Sequence, residues 1–344
     1  MIWHPLLLAV LILDSLSFFM VSAAAVTALR IVISWSPQSA EQHQIRLEVK
    51  AEVASVQVRG AGLLFVASSV LFIVAVSNVL PALVPGAMCG TGVLQACRGL
   101  GQRALAFRLL TIVIVYVWCS VDRLNRAHPD APLTTVSGRG CLLLVPVLFL
   151  AYLDSVRAVM ALDTHQPVDC CAVVYDQVRS LAPATGNLLS LPDAWMVAVF
   201  LAAGILLIVL GLRVWRAKSP PSSPLSFALT GLSLLWVPLA YLALIRVLAA
   251  YHYQVLYHHC PWCLFLADHH LVGYPLFGAL AVTCLEGCVL WVGLKVARDF
   301  PQVAIPAYNR SQLAGLSIAS ATLLFVVLAA GPAMLWRLRF GVWM

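Results

Sequence analysis

The sequence predicts an all-α membrane protein: a polytopic transmembrane helix bundle of about eight helices, with both termini non-cytoplasmic. Of its 344 residues, 62% are hydrophobic and only 10% are charged, whereas soluble domains carry about a quarter charged residues. The apolar residues fall into eight runs, each near the ~20 residues that a membrane-crossing helix needs. The distribution of Lys and Arg then gives an orientation. Arg46, Lys50 and Arg59, then Arg123, Arg126 and Arg139, then Arg213, Arg216 and Lys218, then Arg298 and Arg310 mark four loops as cytoplasmic. Residues 251–275 hold no Lys or Arg and belong to the opposite side. Arg98, Arg103, Arg337 and Arg339 weaken this pattern without reversing it. The net charge of +7 is spread over short loops, which suits contact with an anionic lipid bilayer and not nucleic acid. No Gly-x-x-x-x-Gly-Lys run is present, so nothing suggests nucleotide hydrolysis.

In chain order, residues 5–34 form the first span, too long for a signal-peptide core and without its positive start. Asp14 sits inside it, and an intramembrane carboxylate is a functional candidate by default. Residues 38–60 read as a cytoplasmic amphipathic segment leading into the second span, 61–84. The glycine-rich stretch from Gly86 to Cys97 holds Met88 and Cys89, and reads either as a re-entrant cofactor-lining segment or as an interfacial loop. The third span, 104–121, contains Arg108. The fourth, 141–160, carries Asp154 and Arg157 one turn apart, a spacing that suits an ion pair. A long outer loop, 161–192, contains Cys170 and Cys171. The spans at 193–215, 225–250, 275–297 and 311–336 complete the set. Glu286 lies at mid-depth in the seventh, flanked by Cys284 and Cys288. This divides the chain into N-terminal helices of unknown role (1–140), a four-helix thiol-redox core (141–297) and a C-terminal helix (298–344).

The chemistry concentrates between Tyr251 and Pro275. Cys260-Pro261-Trp262-Cys263 places two thiols at i and i+3, on one helical face, close enough for a disulfide or a shared metal. Pro261 suits the first helical position. Cys260 then becomes the N-cap, where the helix dipole favours a thiolate. The orientation puts three cysteine pairs, Cys89/Cys97, Cys170/Cys171 and Cys260/Cys263, on the non-cytoplasmic side, where disulfides persist. That grouping suggests a thiol relay.

From about 141 to 272 the order of features resembles the vitamin K epoxide reductase family. It runs helix, outer loop Asp169-Cys170-Cys171-Ala172-Val173-Val174, two helices, then Tyr251-His252-Tyr253 leading to Cys260-Pro261-Trp262-Cys263. The resemblance implies a membrane thiol–disulfide oxidoreductase with Cys260 and Cys263 as the active pair. It implies electron delivery from loop cysteines, Cys170 with Cys171, fed by a thioredoxin-fold partner on the non-cytoplasmic side, and a membrane quinone as cofactor. Leu162-Asp163-Thr164-His165 lacks the family's second loop cysteine, for which Cys171 or the Cys89/Cys97 pair stands in. In that scheme Tyr251, Tyr253, Tyr257, Trp262 and Phe265 stack on the quinone, and His258, His259 or His269 handles protons. The expected location is the bacterial inner (plasma) membrane.

Two other readings stay open. His258, His259, Cys260, Cys263, His269 and His270 offer six ligands within thirteen positions, a set suited to copper, zinc or haem in an electron-transfer or assembly protein. No His follows Cys263 directly, which argues against covalent haem attachment. Alternatively the chain is a transporter or a subunit of a membrane complex, with Glu286 as its site.

Overall fold

A computed structural model describes residues 4–36, 41–168, 193–217, 223–255 and 258–344. Cys170, Cys171 and Tyr257 lie outside the described residues. Among the described residues, eight helices are long and apolar enough to cross a membrane, and there is no strand. The surface is that of a protein solvated by lipid. Phe19, Ile33, Leu63 and Leu235 are 67–76% exposed, whereas Asp14, Ser68, Arg108, Thr111, Ser233 and Thr283 are buried. A hydrocarbon solvent removes the penalty for exposing leucine and raises the one for exposing serine. The bundle is therefore integral to a membrane.

The chain separates into two compact units, each assembled from non-contiguous stretches. The first comprises 1–79, 93–164 and 295–307. Its long helices are α1 (Pro5–Ser34), α2 (Gln42–Val74), α4 (Leu100–Arg126) and α5 (Thr134–Ala161). From Gln42 onward the amphipathic segment expected near 38–60 is the first half of α2 and continues unbroken into the second span; residues 38–40 lie outside the described residues. Both α4 and α5 extend into the stretch expected to be a loop at 122–140, because Asn125 closes the turn between them. Its amide donates to Thr134 and its carbonyl accepts from the Leu133 N–H at 2.7 Å. Helix α5, expected to open the thiol-redox core, packs against α1 and α4.

The polar centre of this unit is Asp14. Its carboxylate is ion-paired with Arg108 of α4 and accepts from Ser68 Oγ of α2 at 2.6 Å. Arg108 also donates to Ser69 at 3.2 Å and to Ser155 of α5 at 3.0 Å. Its guanidinium lies 4.7 Å from the Phe72 ring centroid. One charge pair thus ties four helices together. Asp154 does not take Arg157 as its main partner, the pairing that spacing suggested. Arg103 of α4 forks onto it with contacts of 2.9 and 2.6 Å, while Arg157 stays at 3.8 Å. A planar guanidinium gains two parallel hydrogen bonds that an i,i+3 neighbour cannot align. A cavity of about 830 Å³ in this unit is lined by Ser55, Trp118, Asp122 and Asn125 among others. Its most buried polar groups are satisfied within the protein: Asp122 accepts from Ser55 and Arg126, and Trp118 donates to Ser137 O.

The second unit comprises 80–92, 165–294 and 308–344. It holds α6 (Asp193–Arg216), α7 (Ser223–Ala243), a π-helical turn at Leu244–Leu248, α8 (Ala249–Tyr253), and most of α9 (Gly273–Asp299) and of α10 (Ala304–Phe340). Phe200, Trp236 and Phe325 form its aromatic core, with ring centroids 5.4–5.9 Å apart. Gly211 and Gly315 let α6 and α10 approach backbone to backbone: a Cβ on Gly211 would lie 2.6 Å from Gly315 O. Small residues at such crossings are how lipid-solvated helices pack. Glu286 of α9 is paired with Arg310 of α10 at 2.7 Å, both largely buried. The partner expected of a mid-depth charge is therefore a neighbouring helix of the same unit.

Candidate functional site

The site belongs to the second unit and begins with backbone geometry. After Tyr253 the chain turns through Gln254 in a left-handed conformation (φ 56°) and reaches Cys260-Pro261-Trp262-Cys263. Pro261 opens a turn and Cys260 caps it, as the sequence suggested. The element, however, is a single 3₁₀ turn, Pro261–Phe265. So short a turn supplies little dipole, and the stabilisation of a thiolate comes from side chains instead. Tyr253 fixes the cap by donating its hydroxyl to Cys260 O.

The third thiol arrives from a distant stretch. Residues 84–92 double back, with Gly86 at φ +77° and packed on the Val168 carbonyl, where a Cβ would come within 2.4 Å. The Val168 N–H donates to Pro85 O at 3.0 Å, holding the turn. Helix α3 (Gly90–Ala96) starts there, directly after Cys89. Gly90 lies under the Trp262 ring, whose atoms would be 2.5 Å from an added Cβ. This close approach lets Cys89 Sγ reach 3.4 Å from Cys260 Sγ and Thr91 Oγ1 reach 3.1 Å from the same sulfur. The sulfurs of Cys89, Cys260 and Cys263 all lie within 4.8 Å of one another, and all three residues are buried. Gly90→Ala is expected to push Trp262 off the turn at a cost of about 1–3 kcal/mol; thermal unfolding of the detergent-solubilised protein checks it.

Hydrogen bonding from Cys263, then Cys89 and Thr91, outweighs burial and pulls the Cys260 thiol well below its ordinary value. The same cluster pushes Cys263 up, because Cys260 takes the negative charge and Cys263 donates to it. The cluster thus favours negative charge on Cys260 over Cys263. Cys97, the expected companion of Cys89, falls in the first unit, and burial pushes its thiol up to about 11.

The aromatic and imidazole groups divide. Trp262 and Phe265 pack with ring centroids 5.7 Å apart, and Phe265 stacks on Phe277 at 5.2 Å, beside the thiols. The Tyr253 ring is met edge-on by His258 and His269 at 4.5 and 4.6 Å. It thus anchors the site with both its ring and its hydroxyl. His259 Nδ1 bonds Ile245 O at 2.8 Å. Burial first, then neighbouring imidazoles, lowers His258; burial, and then His270, lowers His269 against the pull of Asp268. Among the described residues the group of candidate ligand atoms is Cys89, Cys260 and Cys263, and no histidine joins it. Sequence spacing found Cys260 and Cys263. It left Cys89 as one of two readings of a glycine-rich turn, and it missed Thr91. The signal for both was the alternation Cys89-Gly90-Thr91-Gly92, a pattern of close backbone approach. No protein-family model, curated protein or solved structure matches the chain.

Proposed function

We propose that this chain is a membrane thiol–disulfide oxidoreductase in which Cys260 is the reacting sulfur and Cys263 and Cys89 are its alternative partners. One observation carries the reading: a cysteine 171 positions away meets the Cys-Pro-Trp-Cys turn at 3.4 Å, beside a hydroxyl that stabilises the thiolate. A disulfide is ~2.05 Å long, so small side-chain movements interconvert two pairings. The Cys89 thiolate attacks Cys260 of a Cys260–Cys263 disulfide; one S–S bond forms as another breaks, and the proton lost by Cys89 is taken by Cys263. No outside oxidant is consumed in that exchange.

Net turnover requires a donor and an acceptor. On the resemblance to the vitamin K epoxide reductase family, loop thiols such as Cys170 and Cys171 supply two electrons and two protons, themselves reduced by a thioredoxin-fold partner. Cys260 and its partner sulfur, on forming their disulfide, would pass two electrons and two protons to a membrane quinone, which would supply the two-electron acceptor chemistry when bound. Trp262 and Phe265 share the turn with Cys260 and Cys263, and Phe277 stacks on Phe265; such an aromatic surface suits a planar apolar ligand. The absence of Lys and Arg from 251–275 supports a site on the non-cytoplasmic side. The buried sulfurs favour exchange within the protein over direct attack by a large substrate.

The test is stoichiometric. Reduced, metal-free protein in lipid vesicles is mixed anaerobically with a short-chain benzoquinone. One quinol per chain and the loss of two thiols, mapped to Cys260 and either Cys263 or Cys89, is the expected result. Quinol formation with those thiols unchanged contradicts the reading. Thr91→Val is expected to raise the pH midpoint for labelling of Cys260 by iodoacetamide by about one unit, since one hydrogen bond to a charged group contributes about 1.5 kcal/mol or more. Thr91→Ser is expected to restore the midpoint.

A further inference from the structure

The three sulfurs have a second capacity, which does not rest on electron exchange. We propose that reduced Cys89, Cys260 and Cys263 form a three-coordinate thiolate site for a soft monovalent cation of the Cu(I) class. A metal bonded to three sulfurs at ~2.3 Å in a trigonal plane holds them about 4 Å apart. Here Cys89 and Cys260 are 3.4 Å apart, and all three ligand atoms fall within 4.8 Å. The spacing for a trigonal site is already built, with no large rearrangement of the backbone.

The ligand set also chooses the cation. Thiolates select soft metals over magnesium, calcium or manganese. Structural zinc sites take four protein ligands, and among the described residues no fourth thiol, imidazole or carboxylate joins the group. His258 and His269 are held against the Tyr253 ring, and the Thr91 hydroxyl hydrogen-bonds Cys260. Three buried sulfurs favour a soft cation that three thiolates satisfy over zinc, whose three-ligand sites also need a water in the open position. Two rigid supports hold the ligands: the 3₁₀ turn carrying Cys260 and Cys263, and the start of α3 behind Cys89, locked by Trp262 over Gly90. Binding moves no electrons. The cation replaces the protons of the thiols that ligate it, and those protons go to solvent. Occupancy ties up the sulfurs that exchange requires, so a soft cation in this site blocks thiol exchange.

The experiment uses the reduced full chain in detergent, with Cu(I) partitioned between protein and bathocuproine disulfonate. One tightly held equivalent is expected, weakened at least tenfold in Cys89→Ser and in Cys260→Ser and unchanged in Cys284→Ser. X-ray absorption on the Cu(I)-loaded parent protein is a readout independent of those variants' folding. Three sulfurs at ~2.3 Å support the site, whereas two sulfurs, or a nitrogen or oxygen ligand, overturn it. Retention of the equivalent in Cys89→Ser also overturns it. Quinone reduction is measured on metal-free protein, so loss of one activity leaves the other standing.

Discussion

Arg108→Leu is expected to destabilise the first unit by about 3–5 kcal/mol, the usual cost of leaving one member of a buried ion pair alone. The substitution leaves Asp14, whose side chain is fully buried, facing Ser68 and an apolar surround. It also removes the donors to Ser69 and Ser155 and the guanidinium stacked near Phe72. Contacts among four helices are lost at once. Asp14→Leu should cost a similar amount by stranding Arg108. The double replacement should recover most of the loss, because two matched apolar side chains leave no charge to solvate. Unfolding in mixed micelles, followed by circular dichroism, measures all three. A single replacement costing less than about 1 kcal/mol would mean that water or lipid headgroups reach the pair.

Cys260→Ser is expected to reduce quinol formation by at least a thousandfold while leaving the fold intact. Serine is close to cysteine in volume, and the carbonyl that Tyr253 holds belongs to the backbone. What disappears is the one sulfur shared by both disulfide pairings. Cys263→Ser and Cys89→Ser should behave differently from it and from each other. Cys263→Ser leaves Cys89 and Cys260 able to form a bond, so a single oxidation is retained. Cys89→Ser leaves the Cys-x-x-Cys pair able to pass electrons onward but slows transfer of the disulfide from elsewhere. Quinol formation, measured alongside peptide mapping of each variant's disulfide, separates these outcomes.

The spans and the helical class were legible because crossing a bilayer is a local requirement: about twenty apolar residues suffice, wherever they sit. Helix ends were less legible. Residues 122–126 and 134–140 are polar, and their helices continue because Asn125 satisfies the turn. Nothing in the local pattern distinguishes that from a loop. Arg157 pairs with Asp154 at 3.8 Å, as the spacing suggests, but the closer, forked partner Arg103 comes from a neighbouring helix and is invisible to spacing. At the site, Cys260 and Cys263 announce themselves by spacing alone. Cys89 does not, because its place depends on Gly86 and Gly90 admitting Val168 and Trp262, contacts made only in the folded chain. The helix-dipole argument for Cys260 meets a five-residue 3₁₀ turn, which carries little dipole; the groups that favour negative charge on this sulfur are Cys263, Cys89 and Thr91.

The meeting of Cys89 with Cys260 is most directly tested in Cys263→Ser protein treated with a mild oxidant and digested. A linked peptide joining the 80–96 segment to the 258–270 segment through Cys89 and Cys260, formed rapidly and in high yield, is what the structure predicts. Oxidation that leaves both residues alkylatable, or that joins Cys260 to another cysteine in preference to Cys89, contradicts it.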